Sequence, residues 1–205
     1  MNRLTLSRQP DKALPEHVLL QGERFSVHPD FRTVLTLLRL MDDPEIEDRH
    51  KGLKLIERFY ADCPPAALVP DALRAFFDFI RGPERQSDPE AGKIDYEFDA
   101  DAIYASFRMQ YGIDLLDPGT RLHWYAFTAL LSGLGEGTPL VERLRLRTLD
   151  TRKLKGKAKR SAEIAKRNAQ PPARESQREQ ARHNALTEAL MNGGDANALL
   201  GHEAR

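Results

Sequence analysis

Four carboxylates alternate with other residues in the segment DYEFDAD, a spacing that could hold a metal ion; they are Asp95, Glu97, Asp99 and Asp101. A calcium loop of the EF-hand type begins in a similar way, but it needs a glycine at its sixth position and a glutamate at its twelfth. This chain has Ala100 and Ser106 at those places. Capping of a helix by Asp99 and stabilisation of the helix dipole by Asp101 explain the carboxylates better. We therefore expect no metal site here.

The other residue types that could catalyse a reaction are scattered along the chain. Cys63, the single cysteine, has no histidine near it in sequence and precedes a Pro-Pro turn, which favours an idle thiol over a nucleophile. The glycines of segment 133–137 lack the Lys-Ser/Thr pair of a phosphate-binding loop. The histidines show no ligand spacing such as HxxxH; they are His17, His28, His50, His123, His183 and His202. The sequence predicts a protein that is not an enzyme and uses no cofactor.

Charge is divided unevenly along a chain whose formal net charge is zero. Residues 1–142 carry 16 Lys and Arg against 24 Asp and Glu, a balance of −8, and residues 143–205 carry 15 against 7, a balance of +8. Such a basic segment predicts binding to an anionic partner or to the acidic body of a neighbouring copy. The alternative is a solvated helical tail with no partner. The candidate anion-binding residues are Arg145, Arg147, Arg152, Lys153, Lys155, Lys157, Lys159 and Arg160.

The segment 98–134 must position the aromatic residues that could bind a partner. Its apolar residues recur at helical spacing on both sides of Asp117-Pro118-Gly119, which predicts two helices over residues 99–112 and 121–134. Three aromatic side chains on these helices are candidates for contact with a client protein: Tyr104, Trp124 and Tyr125. The alternative for each of them is an ordinary place in the hydrophobic core.

The rest of the chain predicts a mainly α fold, a compact bundle of about six helices. The predicted helices begin near Asp30, Asp43, Pro70, Asp99, Arg121 and Thr138. Before them, residues 17–20 and 24–27 flank Gln21-Gly22-Glu23 and predict a small N-terminal β-hairpin. Residues 82–96 predict a polar loop.

Four regions are predicted from composition. Residues 1–16 contain two proline breakers and predict disorder, and residues 17–150 form the helical body. Residues 151–170, rich in Lys, Arg and Ala, predict a basic helical arm. Residues 171–205 are too polar to offset the entropy of ordering and predict a disordered tail.

Composition also bounds the location of the protein. The 205 residues fit one domain with tails, and one cysteine excludes a framework of internal disulfides and suits a reducing compartment. The sequence has no apolar run of about twenty residues, the length that a membrane span needs, and no signal-peptide core near its start. We expect a soluble protein in the cytoplasm, with no membrane partner.

Three runs carry a resemblance to a known family: IYASF, the QYGIDL that follows it, and LHWYAFTALLSGL. With FSVHPDFRTVLTLLRLMDDPEI upstream and LRLRTLD to KLKGKAKR downstream, they resemble bacteriophage proteins of the gp-fifteen type. That family is encoded in the tail gene region of long-tailed phages, next to the tape-measure gene. The resemblance covers roughly residues 17 to 167 and brings no catalytic residues with it.

Two functions of different kinds follow as hypotheses. The resemblance implies a tail assembly protein in the host cytoplasm, a chaperone-like binder of the tape-measure protein that could also contact other tail proteins or itself. The basic segment 143–167 suggests the alternative, a nucleic-acid-binding or structural adaptor. Against that alternative, the segment has no interleaved aromatic residues for stacking on bases.

Overall fold

The computed structural model describes residues 14–81 and 94–172. Residues 1–13 and 173–205 of the regions predicted to be disordered lie outside these ranges, as do residues 82–93 of the predicted loop. Residues 14–16 are described, and Glu16 O accepts a hydrogen bond from the Val27 N–H. Within the described ranges, two short strands precede seven α-helices, so the predicted mainly α fold with an N-terminal hairpin is confirmed. Strands β1 (His17–Leu20) and β2 (Glu23–Ser26) pair antiparallel. The two residues between them, Gln21 and Gly22, both have positive φ, the backbone that a tight two-residue hairpin turn requires.

Helices α1 (Phe31–Asp42), α2 (Asp48–Phe59) and α3 (Val69–Arg81) follow the hairpin. The N-terminus of α1 is capped by Asp30, whose side chain accepts from the Arg32 N–H. Helix α2 begins four residues later than predicted, since its N-cap is Glu47 and not Asp43. Asp43 does not cap it, because its carboxylate accepts instead from the Glu45 N–H in a turn.

Helices α4 (Ala100–Tyr111) and α5 (Trp124–Ser132) correspond to the predicted helical pair. Gly112 ends α4 with φ of 67°, a left-handed conformation that glycine adopts without steric cost. The predicted start of α5 near Arg121 is wrong by three residues. The chain there runs extended beside the start of α1, where the N–H of Phe31 donates to Leu122 O and the N–H of Trp124 to Pro29 O.

Helices α6 (Pro139–Thr148) and α7 (Gly156–Ala169) complete the described fold. Helix α6 begins where predicted, after Thr138, and Pro139 occupies its first turn, where the missing N–H costs nothing. Helix α7 is the predicted basic arm, and it packs on α6. The described residues up to Ala169 form one compact unit, in which α7 lies against α6.

The core is aromatic and is centred on α5. Apolar side chains surround this helix on nearly every side, and such a helix is buried in the middle of a bundle. The Phe127 ring stacks on Phe31 from α1 and Phe107 from α4, with ring centres 4.9 and 5.4 Å away. A second group joins Phe59 of α2 to Phe76 and Phe79 of α3.

Candidate functional site

The aromatic residues predicted to meet a client take different places in the structure. Trp124 and Tyr125 are buried, with the Trp124 indole N–H donating to Ile80 O at 3.1 Å and the Tyr125 ring stacked 4.9 Å from Phe79. The prediction of a client-facing role is therefore corrected for these two residues, since both belong to the core around α5. Tyr104 is half-buried on α4, and its predicted role stays a prediction.

One large apolar side chain is exposed on each of α2 and α3, two helices that contact each other. Leu53 of α2 is 56% exposed and Phe77 of α3 is 37% exposed. Leu53 follows Gly52, where an added Cβ would lie 3.7 Å from the Leu73 side chain, and Phe77 lies one turn after Leu73. We call Leu53, Leu73 and Phe77 the apolar α2–α3 face. Sequence reasoning missed it because these residues read as part of two ordinary amphipathic helices.

Three of the eight candidate basic residues form exposed pairs with carboxylates that are close in sequence. Arg145 lies 3.6 Å from Glu142, and Arg152 lies 2.9 Å from Asp150. Lys159 is 3.9 Å from Glu163. All three are exposed, so these pairs contribute little and leave the cations open to solvent. Four more are exposed in the segment before α7 or on α7 itself: Lys153, Lys155, Lys157 and Arg160.

Arg147, the eighth, is a buried residue that joins three helices. Its guanidinium donates to both carboxylate oxygens of Asp99, at 2.6 and 2.9 Å, just before α4. Its Nε donates to Ala169 O at the end of α7, at 2.6 Å. The predicted anion-binding role is corrected for Arg147, because its guanidinium is committed to the fold. One sequence pattern indicates that Arg147 is buried: it shares one face of α6 with Leu140 and Leu144, at positions i, i+4 and i+7.

Arg143 extends this network to the surface. It makes a two-pronged contact with Asp101, both distances 2.8 Å, and donates to Phe98 O at 3.1 Å. The hydrogen bond from Arg143 lowers the pKa of the Asp101 carboxyl. Asp99 occupies the N-cap position of α4 without the predicted side-chain cap; its carboxylate accepts from Arg147 and from the Asp95 N–H. The alternating carboxylates thus anchor part of the basic segment to the body.

A family model described as Bacteriophage Gp15 protein matches residues 11–170. This chain belongs to that family. The match ends one residue after α7, so the Gp15 region takes in the hairpin, the helical body and the basic helix. The resemblance noted from the sequence is confirmed at the level of the family. No curated protein and no solved structure matches the chain.

His123 connects two parts of this Gp15 protein that are distant in sequence. Its Nδ1 accepts from the Tyr125 N–H at 3.0 Å and so caps α5, and its Nε2 lies 2.9 Å from Pro15 O. A carbonyl oxygen only accepts, so Nε2 carries the hydrogen and the ring is neutral. Burial lowers the pKa of His123, while the Pro15 hydrogen bond and the charge of Glu16 raise it by less.

Protonation of His123 should therefore weaken the fold. Because the folded-state pKa is below 6.5, the value for an unfolded chain, the neutral ring contributes its full stability above about pH 6.5. That contribution is lost as the pH falls through the folded-state pKa. In His123→Ala we expect a loss of about 1 kcal/mol at pH 8 from the missing cap, and a smaller difference from wild type in acid. Urea unfolding of wild type and variant, at pH 8 and in acid, measures this difference in the free energy of unfolding. A difference that does not change with pH would contradict the neutral state assigned to His123.

Across residues 14–81 and 94–172, no helix combines the length and the apolar composition that crossing a bilayer demands.

Proposed function

We propose that this bacteriophage protein assists tail assembly by binding the tape-measure protein in a chaperone-like manner, in the cytoplasm of the infected host and without catalysis. The observation that carries the proposal is the apolar α2–α3 face, exposed on a small helical body. The resemblance to proteins encoded beside the tape-measure gene supports the choice of client. The client is a long protein, and its apolar helical surface must stay covered until the tail tube forms around it.

The chemistry of the apolar α2–α3 face suits such a client. Leu53 and Phe77 expose large apolar side chains, and the partly buried Leu73 belongs to the same contact between the helices. An amphipathic helix docks against a surface of this kind through apolar anchors at positions i, i+3, i+4 and i+7. The aromatic ring of Phe77 offers the type of side chain that dominates binding energy at interfaces. A contact built on few anchors can also be released when the tail tube displaces it.

The test is co-expression with the tape-measure protein of the same phage, using the double variant Leu53→Glu/Phe77→Glu. Two new charges on the face should abolish co-purification of the client, since burying unpaired carboxylates is costly. The matched control is Met109→Glu/Leu116→Glu, which makes the same chemical change at two exposed apolar residues outside the face. We expect the control to keep the client soluble. Equal loss in both variants, or in neither, would count against the α2–α3 face.

A second candidate function is nucleic-acid binding through the basic segment. The observation that favours it is the exposure of Lys153, Lys155, Lys157 and Arg160, since exposed cations bind phosphates in a sequence-independent and strongly salt-dependent way. Replacing these four residues with alanine leaves Arg147 and its contacts in place. Loss of nucleic-acid binding together with retained client binding would assign the two activities to separate surfaces.

A further inference from the structure

The outward side of α7 carries a charged stripe that the proposed client binding does not use. Ala162, Ala165 and Ala169 are the buried or half-buried alanines of the helix. On the opposite side, positions at spacings of three and four residues form one line along the helix; they are Lys157, Arg160, Ile164 and Arg167. We call these four residues the α7 stripe. Three cations accompany one isoleucine that is 44% exposed, so the stripe offers positive charge together with one apolar side chain.

A complementary segment lies between α1 and α2 of the same chain. Residues 42–48, DDPEIED, hold five carboxylates and no cation, with Ile46 among them. Glu45, Glu47 and Asp48 are exposed. The pairs recorded for Glu47 and Asp48 are short-range: Glu47 lies 3.4 Å from His50, and Asp48 lies 3.6 Å from Lys51. Both carboxylates stay exposed to solvent, Glu47 at 79% and Asp48 at 101%, so each can face a further cation.

We infer that the α7 stripe of one copy binds segment 42–48 of a second copy. The contact is heterologous, because the two surfaces differ, and it leads to a closed ring or an open chain of copies. Residues 153–167 contain seven Lys and Arg and one Glu, a balance of +6, against −5 for residues 42–48. An isoleucine lies within each charged set, which adds apolar contact to the attraction.

Two arginines of the basic half of the chain pair with carboxylates of the acidic half. Arg143 binds Asp101, and Arg147 binds Asp99 and also donates to Ala169 O at the end of α7. The Arg147 contacts hold this end of α7 on the body. The basic helix therefore presents its stripe from a fixed position. A helix of 14 residues is roughly 21 Å long, so the stripe can meet several carboxylates at once.

The experiment uses the full chain and two charge-reversed variants in sedimentation velocity after nuclease treatment. Lys157→Glu/Arg160→Glu makes the stripe acidic, and Glu45→Lys/Glu47→Lys makes the segment basic. We expect wild type to self-associate at about 0.1 M salt and roughly tenfold more weakly at about 1 M, where the Debye length falls from about 10 Å to about 3 Å. Each variant alone should be monomeric.

Mixing the two variants gives the decisive result. The acidic stripe of the first variant can bind the basic segment of the second. The unchanged basic stripe of the second variant can also bind the unchanged acidic segment of the first. The mixture should therefore associate again. The control Arg74→Glu/Arg121→Glu changes net charge equally at exposed sites elsewhere and should associate as wild type does. A monomeric wild type, a mixture that stays monomeric, or a control that loses association would overturn the inference.

Self-association and client binding can be tested separately. The charge-reversed variants leave Leu53 and Phe77 unchanged, so co-purification of the tape-measure protein tests client binding in the absence of self-association. If association of wild type disappears after nuclease treatment and returns with added nucleic acid, the stripe binds phosphates, and the copy-to-copy contact is wrong.

Discussion

Replacing Arg147 with alanine is expected to lower the free energy of unfolding by about 3–5 kcal/mol, because the buried Asp99 carboxylate loses its main counter-charge and keeps only Arg143 Nη1, 3.5 Å away. The Asp99 side chain is 0% exposed and that of Arg147 is 5% exposed, so water cannot replace the lost partner. Two charge-assisted hydrogen bonds to Asp99 disappear, and so does the one to Ala169 O. The stacking of the guanidinium over Phe98, 5.6 Å from the ring centre, is lost as well. Urea unfolding followed by circular dichroism measures the change.

The matched control for this prediction is Arg145→Ala. Arg145 lies on the same helix and pairs with Glu142 at 3.6 Å, but its side chain is 75% exposed. We expect this change to cost at most about 0.5 kcal/mol. The double variant Asp99→Ala/Arg147→Ala should be less damaging than the sum of the two single changes, because neither charge is then left alone. Equal costs for Arg145 and Arg147 would show that the buried pair is open to solvent.

Replacing Arg147 should also weaken the attachment of α7 to the body. The C-terminal end of this helix is held by the Arg147 contact with Ala169 O and by the Lys166 ammonium, which donates to Leu149 O at 2.9 Å. With few apolar side chains buried along α7, these polar contacts make up much of its attachment. Hydrogen exchange should accelerate in α7 before it does in α5.

The helices could be predicted from the sequence where local signals and tertiary contacts agree. Asp30 before an apolar periodic run, Gly112 after one and Pro139 at the start of another mark helix ends through backbone chemistry that operates within a few residues. The hairpin followed from Gln21 and Gly22 for the same reason. The error at α2 is also local, because Asp43 could cap either a helix or a turn, and the turn formed.

The candidate site could be predicted only in part, because burial depends on contacts that are distant in sequence. Arg147 binds Asp99, which is 48 residues away in sequence. The composition of a Lys/Arg-rich segment does not distinguish one buried arginine from its solvated neighbours. Trp124 and Tyr125 have the residue types that interfaces favour, yet α5 is apolar on nearly every side. That feature predicts a central helix, and it outweighs the preference of single residue types.

The second large effect is expected for Phe127→Ala, which should lower the free energy of unfolding by about 3–5 kcal/mol. Phe127 is fully buried, and its ring lies within 6.4 Å of four other aromatic rings, measured between centres. Those rings come from α1, α4, α5 and the segment before α4; they are Phe31, Phe107, Trp124 and Tyr96. Removing the ring leaves a cavity that rigid aromatic neighbours cannot fill by small shifts, so both the transfer cost and the cavity cost apply.

Phe77→Ala is the matched control, since it makes the same chemical change on the surface. Phe77 lies in the apolar α2–α3 face, is partly exposed and contacts the Phe76 ring at 5.4 Å, so we expect a cost of about 1 kcal/mol or less. The two variants should separate folding from binding. Phe127→Ala should lower the midpoint of urea unfolding and leave client binding intact below the transition. Phe77→Ala should unfold nearly as wild type does and bind the tape-measure protein more weakly, because the ring it removes contributes to the surface instead of the core.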